Sequence, residues 1–167
     1  ESEQLMEVNL NQVIDQVSKE KGIDANALQE TLEMAILQAA KKVFGAEREI
    51  EAQYNRDQGI VELFQIIRLA DEIVDPYNEL TLEEAEEHGL DADIGDELLF
   101  QIFYLAQDGE KAKEQDERYG DILQLKGRRR SFGRIAAQTA KQVITQRIRE
   151  AERDNVFSEY VDRKGEI

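Results

Sequence analysis

Apolar residues recur with helical spacing at both ends of the chain and alternate in its middle. Leu5, Val8, Val13, Ile14 and Val17 form a stripe that predicts a helix over 5–20, closed by Gly22. Asp24 sits where an N-cap belongs. After it, Leu28, Leu32, Ala35, Ile36, Ala39 and Val43 fall at i, i+4, i+7, i+8, i+11 and i+15, one face of a long helix that ends at Gly45. The short Gly22–Ile23 link makes these two helices an antiparallel pair.

The period then shortens. Ile50, Ala52 and Tyr54 alternate with Glu49, Glu51 and Gln53, a strand with one wet face. Arg56-Asp57-Gln58-Gly59 reads as a hairpin turn with Gly59 in the left-handed position. Val61, Leu63 and Phe64 to Leu69 supply a second strand, and Ile73-Val74 a third before Pro76. Thr81-Leu82-Glu83-Glu84 is a capping box opening a short helix that ends near Gly89. Gly95-Asp96 is a turn, and Leu98 to Ala106 reads as a buried strand.

From Gln107 to Lys126 the pattern weakens, and the charged, glycine-containing segment reads as a surface insertion that Tyr119, Ile122, Leu123 and Leu125 anchor in part. Ser131 is placed to cap a long last helix, in which Ile135, Ala136, Ala140, Val143, Ile144, Ile148 and Ala151 keep helical spacing, with Gly165 as its stop. Helices first, strands in the middle and a helix last give an α+β fold: an N-terminal helix pair, a small antiparallel sheet and a long C-terminal helix. At 167 residues, about 70% of the unfolded chain's surface can be buried, enough for a core without staples.

Charge changes this picture most. The chain carries 37 acids and 21 bases, a net charge of −16. Residues 1–120 hold 30 acids and 10 bases, or −20; residues 121–167 hold 7 acids and 11 bases, or +4. Lys126 to Arg149 contains eight Lys/Arg and no Asp or Glu. An acidic body repels phosphate, which argues against a general nucleic-acid coat and leaves one local basic surface. Arg134, Lys141 and Arg149 lie on roughly one helix face at about 100° per residue. Lys41-Lys42 form a second basic spot. Such a face is either a solvated counterweight to an acidic neighbour or a surface for phosphates or an acidic partner. Only Phe132 is aromatic nearby, so a duplex backbone suits it better than stacked single-stranded bases.

Other chemistry is sparse. The chain has no Cys, which excludes disulfides, thiolate metal sites and Cys nucleophiles, and suits a reducing cytoplasm. No apolar run approaches the ~18 residues of a membrane span. The single His88 reads as a surface residue at a helix end. The Asp91–Asp96 run fails the calcium-loop pattern, because Gly95, Asp96 and Ile102 occupy positions needing a ligand, Gly and Glu. No phosphate-loop motif occurs. No catalytic residue, metal site or cofactor is assigned, and the chain is read as non-enzymatic.

Arg134-Ile135-Ala136-Ala137-Gln138-Thr139-Ala140-Lys141-Gln142-Val143-Ile144 and the following Gln146 to Arg153 resemble the signature of the N-terminal domain of the bacterial transcription factor NusA. Ile14 to Lys42 is similar to that family's first two helices, and Leu80 to Ala85 and Gly95-Asp96 fall at matching middle positions. The resemblance runs from about Leu10 and assigns residues 1–162 to this domain. It marks 107–130 as an insertion and makes Arg163 to Ile167 the lead into an S1 domain.

The resemblance implies an adaptor that docks on bacterial RNA polymerase, at the flap of the beta subunit beside the RNA exit channel. There it promotes pausing and nascent-hairpin formation, in termination and antitermination. The family's hairpin-contact positions fall on Lys41, Lys42 and Arg134, while a third lysine of the first cluster is Val43 here. The implied partners are polymerase and a nascent RNA hairpin, met by a cytoplasmic monomer without a membrane or a cofactor. The alternative is an autonomous nucleic-acid-binding module using 126–149, with Lys141 and Arg149 on its face.

Overall fold

The computed structural model describes residues 9–104 and 108–165. Its elements, in chain order, are α1 (Leu10–Lys21), α2 (Ala25–Phe44), β1 (Ile50–Asn55), β2 (Ile60–Leu69), β3 (Glu79–Leu80), α3 (Leu82–Glu87), β4 (Glu97–Gln101), α4 (Gly109–Leu123) and α5 (Lys126–Gly165).

The first helix is shorter than its stripe predicts. Asn9 is extended and its side chain accepts from the Asn11 N–H at 2.8 Å, so α1 cannot run back through it. Leu5 and Val8 lie outside the described residues. The Leu10 N–H donates to the Gly59 carbonyl at 2.8 Å, docking the helix start onto the hairpin. Gly59 has φ +68°, and a Cβ there would fall 1.8 Å from Asn9 Oδ1, so both conformation and space demand glycine. Gly22 closes α1 in the left-handed region, and the Asp24 carboxylate caps α2 through the Asn26 N–H, both as predicted.

The sheet is organised around β2. It pairs antiparallel with β1 (Tyr54 opposite Val61) and with β4 (Ile67 opposite Leu98), but parallel with β3 (Leu69 opposite Leu80). The expected all-antiparallel sheet is therefore mixed. Ile73 and Val74 are not a strand: they are 39% and 87% exposed, and the third strand is Glu79–Leu80. The Glu79 carboxylate accepts from the Val74 and Asp75 N–H groups at 2.9 and 2.5 Å, so these donors serve a side chain rather than a ladder. Pro76 has no N–H to offer one. Strand β4 stops at Gln101, short of the predicted run to Ala106; Ile102 and Phe103 remain buried, and 105–106 lie outside the described residues.

The segment read as a surface insertion is largely helical over its described residues. Gly109–Leu123 is helical, with Leu123 and the following Leu125 buried and Tyr119 and Ile122 packed on the core. Gln124 takes a left-handed conformation (φ 52°) that turns the chain into α5. Helix α5 begins at Lys126, five residues before the predicted cap at Ser131, whose hydroxyl instead donates to the Arg128 carbonyl inside the helix. The Arg129 N–H already donates to the Leu125 carbonyl, and no proline interrupts the turn. At 40 residues, α5 extends about 60 Å.

The core sits where α2, the end of β4 and α5 meet. Phe132 is fully buried between Phe44 and Phe103, with ring centroids 5.2 Å from each. Edge and tilted contacts of this kind add to the area buried. Leu28, Leu32, Ile36, Ala40 and Phe44, spaced by four, are the inward face of α2.

Candidate nucleic-acid interface

Lys41 and Lys42 occupy the exposed side of the last turn of α2, where positive charge complements the helix dipole. The Phe44 carbonyl at that terminus accepts two guanidinium hydrogen bonds, from Arg48 Nε at 2.8 Å and Arg128 Nη1 at 2.6 Å. The first turn of α5 is thereby tied to the last turn of α2. Burial first, and then the charge of Arg128, holds the Arg48 guanidinium below its ordinary pKa.

Beyond this joint α2 and α5 pack together and leave an open groove of about 410 Å³ between them. Ala35, Ala39 and Val43 of α2 and Ile135 and Val143 of α5 supply its apolar lining; Lys42 and Gln142 are among its polar residues. Gln142 also lines a smaller depression of about 320 Å³ with Lys141 and Arg149. Lys42, Lys141 and Arg149 thus lie on adjoining surfaces. Arg134 is exposed on α5, next in sequence to the groove residue Ile135. Seven residues separate Arg134 from Lys141, which places them about 20° apart around the helix.

Not every cation of the 126–149 stretch belongs to this surface. Arg129 is 9% exposed, and its guanidinium donates to the carbonyls of Ile102 (3.0 Å) and Ala112 (3.2 Å), to Asp116 (2.8 Å) and to Gln115. It also lies 5.5 Å from the Tyr104 ring centroid. This is the polar bolt that fastens α4 to the end of β4. Arg147 pairs with Glu150 at 2.8 Å. Phe132, the aromatic neighbour in the sequence, is wholly buried and unavailable to a base.

The remaining motifs resolve locally. A His88 ring nitrogen lies 2.8 Å from the Glu84 carbonyl at the end of α3, and the Asp96 carboxylate accepts from the Asp93 N–H within its own turn. The Thr81 hydroxyl caps α3 through the Glu84 N–H, as the capping box predicts. Among the described residues, no helix is long and apolar enough to cross a membrane.

The model of the family described as NusA N-terminal domain matches residues 9–108 and 105–154. The chain belongs to the NusA N-terminal domain family. The transcription termination/antitermination protein NusA of Rickettsia conorii is 36% identical over 160 residues, covering 96% of this chain and 27% of that protein. Its counterpart in Bacillus subtilis is 34% identical over 151 residues, covering 90% of this chain and 34% of that protein. The chain therefore spans 27–34% of the length of these relatives. The solution structure of the N-terminal domain of NusA from B. subtilis matches with a TM-score of 0.58 and 30% identity, over 92% of this chain and 99% of that one. The α+β fold with its long last helix is the fold of this family.

The sequence missed Arg48 and Arg128 as a pair. Arg48 stands alone between Glu47 and Glu49, and nothing in the linear order places it beside Arg128, 80 residues on. Only the packing of α2 on α5 reveals the pairing.

Proposed function

We propose that this NusA-family domain is an RNA-polymerase-docking adaptor that presents a basic surface to a nascent RNA hairpin and so promotes pausing. Its dock is the flap of the beta subunit beside the RNA exit channel, and it works as a monomer in the cytoplasm, without catalysis or a cofactor. Residues 1–162 are the domain, 107–130 an elaboration of it, and 163–167 the approach to an S1-type module. The observation that carries this reading is the placement of exposed Lys41 and Lys42, with Lys141 and Arg149 on the adjoining surface, in a chain of this family.

The chemistry is phosphate neutralisation. Lys41, Lys42 and Arg134 contact the backbone of a duplex stem without reading its sequence. Acidic segments such as Glu83–Glu87 and Asp91–Glu97 repel RNA elsewhere and confine its path. The autonomous-binder reading weakens because Arg129 is consumed by α4 and Arg147 by Glu150. Few phosphate contacts remain, so RNA affinity without polymerase is low and docking supplies most of the binding energy.

Co-sedimentation with core RNA polymerase, intact and lacking the flap tip, tests the dock. The domain should travel with the intact enzyme and not with the truncated one; equal binding to both would remove the flap from the account.

A further inference from the structure

Near the Arg48–Arg128 joint stands an exposed aromatic ring. Tyr77 is 57% exposed and follows Pro76 in the loop before β3. That loop is held firmly. Asn78, only 4% exposed, accepts from the Glu49 N–H (2.6 Å) and from Gln65 Nε2 (2.9 Å), and donates to the Glu47 carbonyl (2.8 Å) and to Asp75 (2.7 Å). Buried Asn78 thus stitches the Tyr77 loop to the residues on both sides of Arg48.

Arg48 and Arg128 supply positive charge at this corner. Arg48 and Arg128 converge on one carbonyl oxygen, and among the described residues neither carries a carboxylate within ion-pair distance. Asp75 accepts from Tyr77 N–H and Asn78 Nδ2, Glu79 accepts from Val74 and Asp75 N–H, and the exposed Glu47 next to Arg48 is the acid that opposes an anion here. Two guanidiniums supply donors that match a phosphate, and an exposed tyrosine ring on an anchored loop supplies a stacking surface for a base. Lys41 and Lys42 lie in the same terminal turn of α2, so the corner continues the basic surface.

We propose that Arg48, Arg128 and Tyr77 form a nucleotide subsite for an unpaired residue flanking an RNA stem, the guanidiniums taking its phosphate and the Tyr77 ring its base. This rests on the reading of Lys41, Lys42 and Arg134 as stem contacts. The test measures binding of the full chain at low salt to two RNA hairpins, one blunt and one with a short single-stranded flank, by fluorescence anisotropy across a salt series. Wild type should prefer the flanked hairpin, and Tyr77→Ala should remove that preference, a loss of roughly tenfold for one stacked base. R48Q and R128Q should each make the salt dependence of the flanked hairpin shallower, by about 0.7 in log–log slope per lost single-strand phosphate contact. A role confined to capping α2 would lower the melting temperature and leave that slope unchanged.

Equal affinity of wild type for the two hairpins, or a Tyr77→Ala preference like that of wild type, overturns the subsite. So does a Tyr77→Ala variant that loses polymerase binding but keeps the flank preference, since the ring would then be a protein contact. The triple reversal of Lys41, Lys42 and Arg134 to Glu separates the two proposals: if it leaves blunt-hairpin binding intact, the stem reading fails whatever Tyr77 does.

Discussion

Arg129 and Lys141 belong to one helix and one uninterrupted basic run, yet they do opposite work. Arg129 is enclosed by α4 and the end of β4, with its donors spent on two carbonyls, Asp116 and Gln115. Lys141 is exposed beside Arg149 in an open depression. The first turn of α5 is a joint, and the turns after it bury one face and expose Lys141 and Arg149 on another. Charge counted along the sequence treats Arg129 and Lys141 alike; burial and partners separate them, and of the two only Lys141 can give its charge to a ligand.

The comparison breaks first at the joint. Phe132→Ala would empty the space between Phe44 and Phe103 and should cost about 3–5 kcal/mol, read as a large loss of thermal and denaturant stability. Arg129→Ala comes next. It strands the Asp116 carboxylate and two carbonyls and should cost about 3 kcal/mol, visible also as earlier hydrogen exchange in α4 than in α2. A cost near that of a surface residue would place Arg129 outside the core. On the other side of the comparison, Lys141→Ala should change stability by no more than about 0.5 kcal/mol while weakening RNA binding.

The smallest effect concerns Arg147 and Glu150. Hydrogen bonds from Arg147, and secondarily from Gln146, hold the Glu150 carboxyl below its usual value of 4.5. A carboxylate depressed in the folded state stabilises it above the ordinary value, and that contribution disappears as pH falls through the folded one. Melting temperature should therefore decline slightly more steeply below pH 4.5 in wild type than in Arg147→Ala.

Strongly periodic features were legible in the sequence. Leu28, Leu32 and Ile36 on the inward face of α2, the Asp24 and Thr81 caps, the Gly22 stop and the Gly59 hairpin all depend on short-range rules that few tertiary contacts override, whereas Ala40 and Phe44 of that face lie outside the predicted stripe. Helix α4 was not legible, because Gly109 and Gly120 lower its intrinsic preference and its attachment comes from Arg129, distant in sequence until the chain folds. Strand β3 escaped because two residues paired in parallel leave no alternation to read. The candidate site was half legible: Lys41–Lys42 and the 126–149 run stand out as charge, whereas the grouping of Lys42 with Gln142 and the subtraction of Arg129 are products of packing.

The central claim is that Lys41, Lys42 and Arg134 meet RNA while another part of the domain meets polymerase. The most direct measurement is the lifetime of a hairpin-stabilised pause by core RNA polymerase supplied with wild type or with the Lys41→Glu, Lys42→Glu, Arg134→Glu triple variant at saturating concentration. The account predicts that the variant still co-sediments with polymerase but no longer lengthens the pause. A variant that prolongs the pause as wild type does would contradict it.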